Sequence, residues 1–142
     1  MRALLDVNVL VALLDAGHAE HGTASRWLGG HAADGWASCP ITQNGCIRAM
    51  AHADYPSGFP VSAVMERLRL ATEAPWHEFW PDEVNLLDPA VADPSRIHGP
   101  HALTGLYLLA LAARRGGRLV TFERTLAPAA VHGATAQHLV VL

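Results

Sequence analysis

Two segments of the chain share one plan, in which an arginine is followed by a short apolar run and then an acid. They are Arg2–Asp6 and Arg118–Glu123. Such runs predict buried strands, and in a parallel sheet both acids would stand at the same edge. Paired carboxylates there suit a hard divalent cation such as Mg²⁺, which takes oxygen ligands, and Asn8 could hydrogen-bond an acid or a metal-bound water. Acids also follow strands simply as helix N-caps, and Asn8 is equally typical of a local turn, so both interpretations stay open at this stage.

Two pairs of histidines have a spacing that zinc ligands also show, His18 with His21 and His98 with His101. Neither pair is accompanied by a matching pair of cysteines or histidines elsewhere in the sequence. We therefore expect structural or surface histidines.

The composition excludes several classes of chemistry. All ten basic residues are arginine, so Schiff-base, phosphate-loop and general-base lysines are impossible, as is a receiver domain of two-component signalling. A net charge of −3 argues against a histone-like nucleic-acid binder, although it leaves room for a local arginine patch. The length of 142 residues suits one domain spanning the whole chain.

The cysteine count and the apolar runs indicate the compartment. Cys39 and Cys46 are too few for a disulfide scaffold, which favours a reducing environment and buried, inert thiols. No apolar run reaches the roughly 18 residues of a membrane span, and no signal peptide is recognisable. We expect a cytoplasmic protein without membrane contact.

Hydrophobic periodicity predicts five strands alternating with five helices. The predicted strands are 2–5, 36–39, 77–80, 118–122 and 138–142, and the predicted helices are 7–14, 18–28, 40–51, 61–72 and 101–115. Gly29 and Gly30 are expected to stop the second helix, and Pro40 to open the third in a permitted first-turn position. This alternation predicts an α/β fold in which helices cover both faces of a parallel sheet.

Several segments resemble the PIN-domain ribonucleases, specifically the VapC toxins of bacterial toxin–antitoxin pairs. The likeness spans almost the whole chain in the order Leu4–Leu14, His18 to Trp27, Gly35–Gly45, Phe79–Asp82, Leu106–Ala112 and Gly117–Glu123. The resemblance implies a three-layer α/β/α sandwich with a central parallel sheet. It also implies cleavage of RNA with Mg²⁺ or Mn²⁺, inhibition by a VapB-type antitoxin, and a homodimer.

The resemblance implies four places for metal-binding carboxylates, and this sequence departs from the pattern at three of them. Asp6 matches in full, and Glu123 keeps the charge on a longer side chain. Gln43 stands where a Thr-Glu pair is usual, and Gly105 where a Thr-Asp pair is usual. No acid lies between Ile97 and Phe122, so the last helix cannot compensate. One cation held by two acids and water is conceivable, whereas a two-metal site is hard to support.

If the site works, Asp6 and Glu123 are expected to hold the cation. Asn8 and Thr121 are expected to contact either the groups around the ion or the substrate phosphate. The candidates for phosphate contact are Arg48, Arg114, Arg115 and Arg124. Three explanations fit the missing carboxylates at Gln43 and Gly105. The protein is a working nuclease of low metal affinity, a naturally degenerate relative, or an altered variant. A rival from another class is a PIN fold that binds antitoxin or RNA without cleaving. An unrelated nucleotide-binding domain lacks the support of a glycine-rich phosphate loop.

Overall fold

A five-stranded parallel sheet forms the centre of the computed structural model, which describes residues 1–142. The strands are β1 (Ala3–Leu5), β2 (Trp36–Ser38), β3 (His77–Phe79), β4 (Arg118–Thr121) and β5 (Leu139–Val141), in the order β3-β2-β1-β4-β5. In the central register, Leu4 of β1 pairs with Ala37 on one side and with Leu119 on the other. The predicted parallel sheet is confirmed, and all carboxyl ends of the strands lie at one edge.

Five α-helices connect these strands. They are α1 (Val7–Leu14), α2 (His21–Gly30), α3 (Pro40–Ala51), α4 (Val61–Thr72) and α5 (Leu103–Arg114). The bounds predicted for α1, α3 and α4 are confirmed, because each apolar repeat is preceded directly by a capping acid or opens at or just after a proline.

The helices bury the two faces of the sheet separately. On one face, Leu4 and Leu119 belong to a core with the leucines of α5. On the other face, Leu5 and Val120 pack in a core to which α1, α3 and α4 contribute. Alternate residues of each strand thus point into opposite layers. The expected three-layer α/β/α sandwich is confirmed.

The predicted start and end of α2 are wrong. The backbone N–H of His18 donates to the Asp15 carbonyl, and the His18 ring accepts from the N–H of Glu20, so residues 15–20 form a turn. The helix begins only at His21. It also includes Gly29 and Gly30, which do not stop it.

Other element ends shift by one or two residues. A short 3₁₀ helix covers Pro100–Ala102, so α5 begins at Leu103 instead of residue 101. Strands β2, β3 and β4 each end one residue before the predicted position, and β5 begins after His138, which ends another 3₁₀ turn. The longest helices have 12 residues, and none combines the length and apolar content that crossing a membrane requires.

Gly117 sets the close contact between the start of β4 and β1. A Cβ atom at this position would lie 2.6 Å from the Arg2 carbonyl oxygen and 2.7 Å from the Trp80 ring. The next residue, Arg118, donates its N–H to that same carbonyl at 3.0 Å. Only glycine fits here, and the resulting register aligns the carboxyl ends of β1 and β4.

Candidate active site

Asp6 stands directly after β1. Hydrogen bonds to the neighbouring strand β4 and to the start of α1 fix its position. Its backbone N–H donates to the Val120 carbonyl of β4 at 3.0 Å. Its Oδ1 accepts the N–H of Val7 at 2.7 Å, so the carboxylate caps α1. The side chain therefore has a fixed position at the carboxyl edge of the sheet while remaining partly exposed.

Thr121 links Asp6 to the acid that follows β4. The buried Thr121 hydroxyl donates to Oδ2 of Asp6 at 2.6 Å and accepts the backbone N–H of Glu123 at 3.0 Å. The structure thus brings together three of the residues predicted for the site. The hydroxyl both orients the Asp6 carboxylate and fixes the backbone that carries Glu123.

Glu123 is exposed and turns back toward its own loop. Its Oε1 accepts hydrogen bonds from the hydroxyl and the backbone N–H of Thr125. These bonds, with a smaller contribution from the charge of His101, hold the pKa of Glu123 below its usual range. The group is therefore a carboxylate at neutral pH, and its other oxygen makes no hydrogen bond within the chain.

Asn8 lies next to this group without joining it. The residue is exposed in the first turn of α1, and its side-chain amide makes no hydrogen bond within the chain. It is free to contact a ligand, and its role as an outer contact stays a prediction.

A cleft of about 370 Å³ opens beside Val7, the residue after Asp6, and lies between α1, α3 and α5. We call it the edge cleft; its lining residues are Val7, Pro40, Ile41, Asn44, Gly45, Arg48, Asp82 and Thr104. They come from the start of α1, from one side of α3, from the start of α5 and from the loop after β3. This location, outside the carboxyl ends of parallel strands, is where α/β proteins bind their ligands.

Gln43 does not share the edge cleft, although the resemblance implied an acid at its position. Its amide donates to the Ser38 hydroxyl at 2.9 Å, and that hydroxyl also lies 2.9 Å from Nε2 of His77. Gln43 lines a separate groove between α3 and α4. The residues of α3 that line the edge cleft include Asn44 and Gly45, and neither has a carboxylate.

Two glycines stand on the helices that could have supplied further carboxylates, Gly45 on α3 and Gly105 on α5. A Cβ at Gly45 would lie 2.5 Å from a methyl group of Val7, and one at Gly105 would lie 3.0 Å from a methyl group of Leu126. Apolar side chains therefore occupy the space beside both positions. No acid reaches the site from α3 or α5.

The four predicted arginines fall into two groups. Arg48 lines the edge cleft, and Arg124 follows Glu123; both are exposed and without an ion pair. Arg114 and Arg115 stand at the end of α5, near the edge where the strands begin, and both pair with Glu83. Of the four, only Arg48 and Arg124 therefore lie at the carboxyl edge of the sheet, one in the edge cleft and one directly after Glu123.

His21 and the two cysteines have no surroundings that indicate a metal site or a redox pair. His21 bonds the Ala12 carbonyl at 2.8 Å, and no group of three or more His, Cys, Asp or Glu side chains could hold a metal ion. Cys39 and Cys46 are free and fully buried. Burial raises the pKa of both thiols, that of Cys46 to about 12. The expectation that both thiols are buried is confirmed.

Sequence reasoning missed Asp82 as a lining residue of the edge cleft. Asp82 follows the strand β3 and the anchoring residue Trp80, so it obeys the same rule that singled out Asp6 and Glu123. The Phe79–Asp82 segment contains this signal, because its acid follows a predicted strand.

Curated proteins similar to this chain have a consistent description. Ribonuclease VapC44 of Mycobacterium tuberculosis is 51% identical over 142 residues, which cover all of both chains. Ribonuclease VapC39 of the same organism is 40% identical over 134 residues, covering 94% of this chain and 96% of that one. The chain belongs to the VapC ribonuclease family. No protein-family model matches it.

Solved structures of VapC proteins have the same fold as this family member. VapC20 of M. tuberculosis, described as a toxin that cleaves the sarcin–ricin loop, aligns with a TM-score of 0.57 at 17% identity over 82% of this chain and 85% of that one. VapBC2 of Rickettsia felis, bound to a promoter DNA fragment, also aligns with a TM-score of 0.57, at 14% identity over 87% and 89%. At these low identities, the two structures show a shared fold and nothing further.

Proposed function

We propose that this protein is the toxin of a VapBC-type toxin–antitoxin pair and acts as a divalent-metal-dependent endoribonuclease. The observation that carries the proposal is the hydrogen-bonded series Asp6–Thr121–Glu123 at the carboxyl edge of the sheet. It occurs in a chain that is 51% identical, over its whole length, to a protein named as a ribonuclease.

The donor set fits a single hydrated Mg²⁺ or Mn²⁺ better than a closed or two-metal site. Two carboxylates and a hydroxyl are oxygen donors, and Mg²⁺ commonly keeps several waters beside one or two protein carboxylates. Asp6 and Glu123 would hold the ion. When bound, it would supply an activated water and stabilise negative charge on the phosphate.

The protein's own groups position the RNA and the acids. Thr121 keeps the Asp6 carboxylate in a single orientation through its 2.6 Å hydrogen bond. Arg48 and Arg124 provide unpaired positive charge for phosphates on either side of the scissile bond. Asn8 has free amide donors that reach the same edge. Because the net charge is −3, attraction of RNA depends on these local arginines and on the ion.

The partners proposed with this function are RNA and a VapB-type antitoxin. The antitoxin is supported by family membership and by the fold neighbour VapBC2, which is described as bound to a DNA fragment from their promoter. The homodimer belongs to the same proposal.

A second candidate is a VapC fold that binds its partner without cleaving RNA. It is favoured by one observation: Gly45 of α3 and Gly105 of α5 offer no carboxylate, and they lie against Val7 and Leu126.

RNA cleavage by purified, antitoxin-free protein separates the two candidates. We expect cleavage with Mn²⁺ or Mg²⁺, none with EDTA, and a loss of at least about 100-fold in Asp6→Asn, since even outer-shell changes cost up to that factor. Asparagine caps helices as well as aspartate, so the variant stays folded. Glu20→Gln, an exposed acid at the start of α2, is the matched control and should retain full activity. Absence of cleavage by the unmodified protein under every metal condition would establish the non-cleaving candidate.

A further inference from the structure

A small cavity of about 80 Å³ lies beside the loop that carries Glu123. An arginine and two histidines line it, Arg96, His98 and His101, together with Thr125 and three apolar residues. We call it the basic pocket, because none of its lining residues is an acid although the whole chain has a net charge of −3. Its volume exceeds the roughly 30 Å³ that one water molecule occupies, so a group of a few heavy atoms such as phosphate fits.

The backbone before α5 brings the basic side chains together. Gly99 has a φ of 109°, in the region that favours glycine, and it lies in a tight turn between His98 and His101. A Cβ atom at Gly99 would lie 3.0 Å from the His101 ring. Prolines open the short 3₁₀ turns on both sides, Pro94–Arg96 and Pro100–Ala102. The loop is therefore built from residues that restrict its conformation.

The donors of the basic pocket are available to a ligand. Neither His98 nor His101 makes a side-chain hydrogen bond or an ion pair within the chain, and both are exposed. Arg96 is 61% exposed and has one contact, an ion pair in which its Nε lies 3.4 Å from the Asp93 carboxylate. Its guanidinium makes no hydrogen bond within the chain. Guanidinium and imidazole N–H groups are donors that phosphate oxygens accept.

Hydrogen bonds connect the basic pocket with both proposed cation ligands. Thr125, which lines the pocket, donates its hydroxyl and its backbone N–H to Oε1 of Glu123. Glu123 is joined in turn to Asp6 through the hydroxyl of Thr121. An RNA strand whose cleaved phosphate lies at these acids can therefore place another phosphate at the pocket.

We propose that the basic pocket is a phosphate-binding subsite, which holds an RNA phosphate other than the one that is cleaved. Arg96 provides the charge, and His98 and His101 provide further donors. The inference rests on the proposed function and gives a role to a histidine pair that has no matching zinc ligands. A phosphate requires only donors, so the lack of a second pair is no obstacle.

RNA binding in the absence of metal tests the subsite independently of cleavage. Fluorescence anisotropy with a labelled single-stranded RNA of about 12 nucleotides, in EDTA and at several salt concentrations, measures the affinity. In Arg96→Gln we expect a loss of about fivefold. The slope of log affinity against log salt should decrease by about 0.7, because one phosphate fewer is neutralised.

Arg26→Gln is the matched control, since Arg26 is an exposed arginine of α2 that has no ion pair and lies outside the pocket. It should keep the affinity and the slope of the unmodified protein. Because Arg96 is largely exposed, its variant should also melt at the unchanged temperature. An equal loss of affinity in both variants would overturn the proposal, because net charge alone would then explain it.

Inorganic phosphate locates the subsite. In nuclear magnetic resonance spectra at constant pH and ionic strength, replacing chloride by phosphate should shift the ring signals of His98 and His101 in a saturable way. The shifts should be lost in Arg96→Gln, and the ring of His52, an exposed histidine after α3, should not respond. Absence of a saturable shift at His98 and His101 would overturn the assignment.

The outcomes separate this proposal from the proposed function. If Arg96→Gln binds RNA and phosphate normally while Asp6→Asn abolishes cleavage, the basic pocket is refuted and the proposed function stands. If Arg96→Gln loses binding but the unmodified protein cleaves no RNA with any metal, the pocket stands and the cleaving function is refuted.

Discussion

Helix α1 has an aspartate at each end, and the two have opposite surroundings. Asp6 precedes the helix, and Asp15 follows it. Each accepts two hydrogen bonds: Asp6 from Val7 and Thr121, and Asp15 from the N–H of Gly17 and the hydroxyl of Tyr55. Asp6 is partly open at the edge of the sheet, whereas only 8% of Asp15 is exposed.

The number of hydrogen bonds alone therefore does not distinguish a functional acid from a structural one. Asp15 ties the end of α1 to the loop after α3, and solvent reaches little of it. Asp6 has the same number of bonds but keeps free lone pairs facing an open edge. The two residues should therefore respond oppositely to mutation, one in stability and the other in cation binding and cleavage.

The largest expected effect on stability is that of Asp15→Ala. The change leaves the Tyr55 hydroxyl and the Gly17 N–H without their charged acceptor, so we expect a loss of about 3 kcal/mol in the free energy of unfolding. Urea denaturation measures it. Asp6→Asn keeps its capping oxygen but removes the charged acceptor of the Thr121 hydroxyl, so we expect a smaller loss of about 1 kcal/mol. An equal loss in both variants would remove the contrast between the two acids.

Tyr55→Phe should cost about 2 kcal/mol, and this cost should depend on pH. The hydrogen bond from Tyr55 is the main cause that holds the pKa of Asp15 below its usual range, and the pKa of Tyr55 itself is raised to about 12, mainly by burial and also by Asp15. A lowered carboxyl pKa stabilises the fold above about pH 4, and that stability is lost as the pH falls further.

The raised tyrosine pKa stabilises below about pH 10, and that stability is lost as the pH rises toward 12. The difference between the two proteins should therefore be constant between about pH 5 and 9 and shrink on both sides. Urea titrations at several pH values measure it. A difference that is unchanged down to pH 3 would contradict the assigned role of Asp15.

Thr121→Val tests the hydroxyl that links Asp6 to Glu123. Valine keeps the shape of this buried residue but removes both hydrogen bonds, so we expect Mn²⁺ affinity to fall about tenfold, or about 1.4 kcal/mol. Titration followed by electron paramagnetic resonance measures it. Thr121→Ser restores the hydroxyl and should recover most of the affinity; failure of serine to do so would mean that packing, not orientation of Asp6, is what threonine provides.

The smallest expected effect is that of restoring an acid at Gly105. An aspartate there adds a carboxylate, but its Cβ contacts Leu126 at 3.0 Å, so that side chain must first move aside. We expect Mn²⁺ affinity and cleavage to rise by less than about tenfold in Gly105→Asp, and further when Leu126→Ala is added. Gly105→Asn is the matched control without charge. A gain of equal size with asparagine would argue against an electrostatic origin.

Much of the fold follows from local sequence pattern, and the exceptions have local causes. For α1, α3 and α4, the spacing of apolar residues and the capping or proline residues indicate the same bounds, so these bounds are predicted correctly. The start of α2 was misplaced because His18 takes part in a side-chain turn with Glu20, which competes with helix.

The strand acids were predictable, and the helix faces were not. Asp6 and Glu123 share one edge because parallel strands must end together. The rotation of α3, in contrast, depends on which side meets the core: Cys46 and Met50 are buried, which directs Gln43 toward Ser38 and away from Asp6. Asp82 reaches the edge cleft through an irregular loop, whose path no periodicity describes.

The two buried cysteines lie on different faces of the sheet. Cys39 belongs to the core beneath α5, and Cys46 belongs to the core beneath α1 and α4. A thiol reagent can modify each only when its own layer opens. Alkylation rates of the two residues, resolved by mass spectrometry, would therefore report separately on how often each layer of the sandwich opens. No label has to be introduced for this measurement.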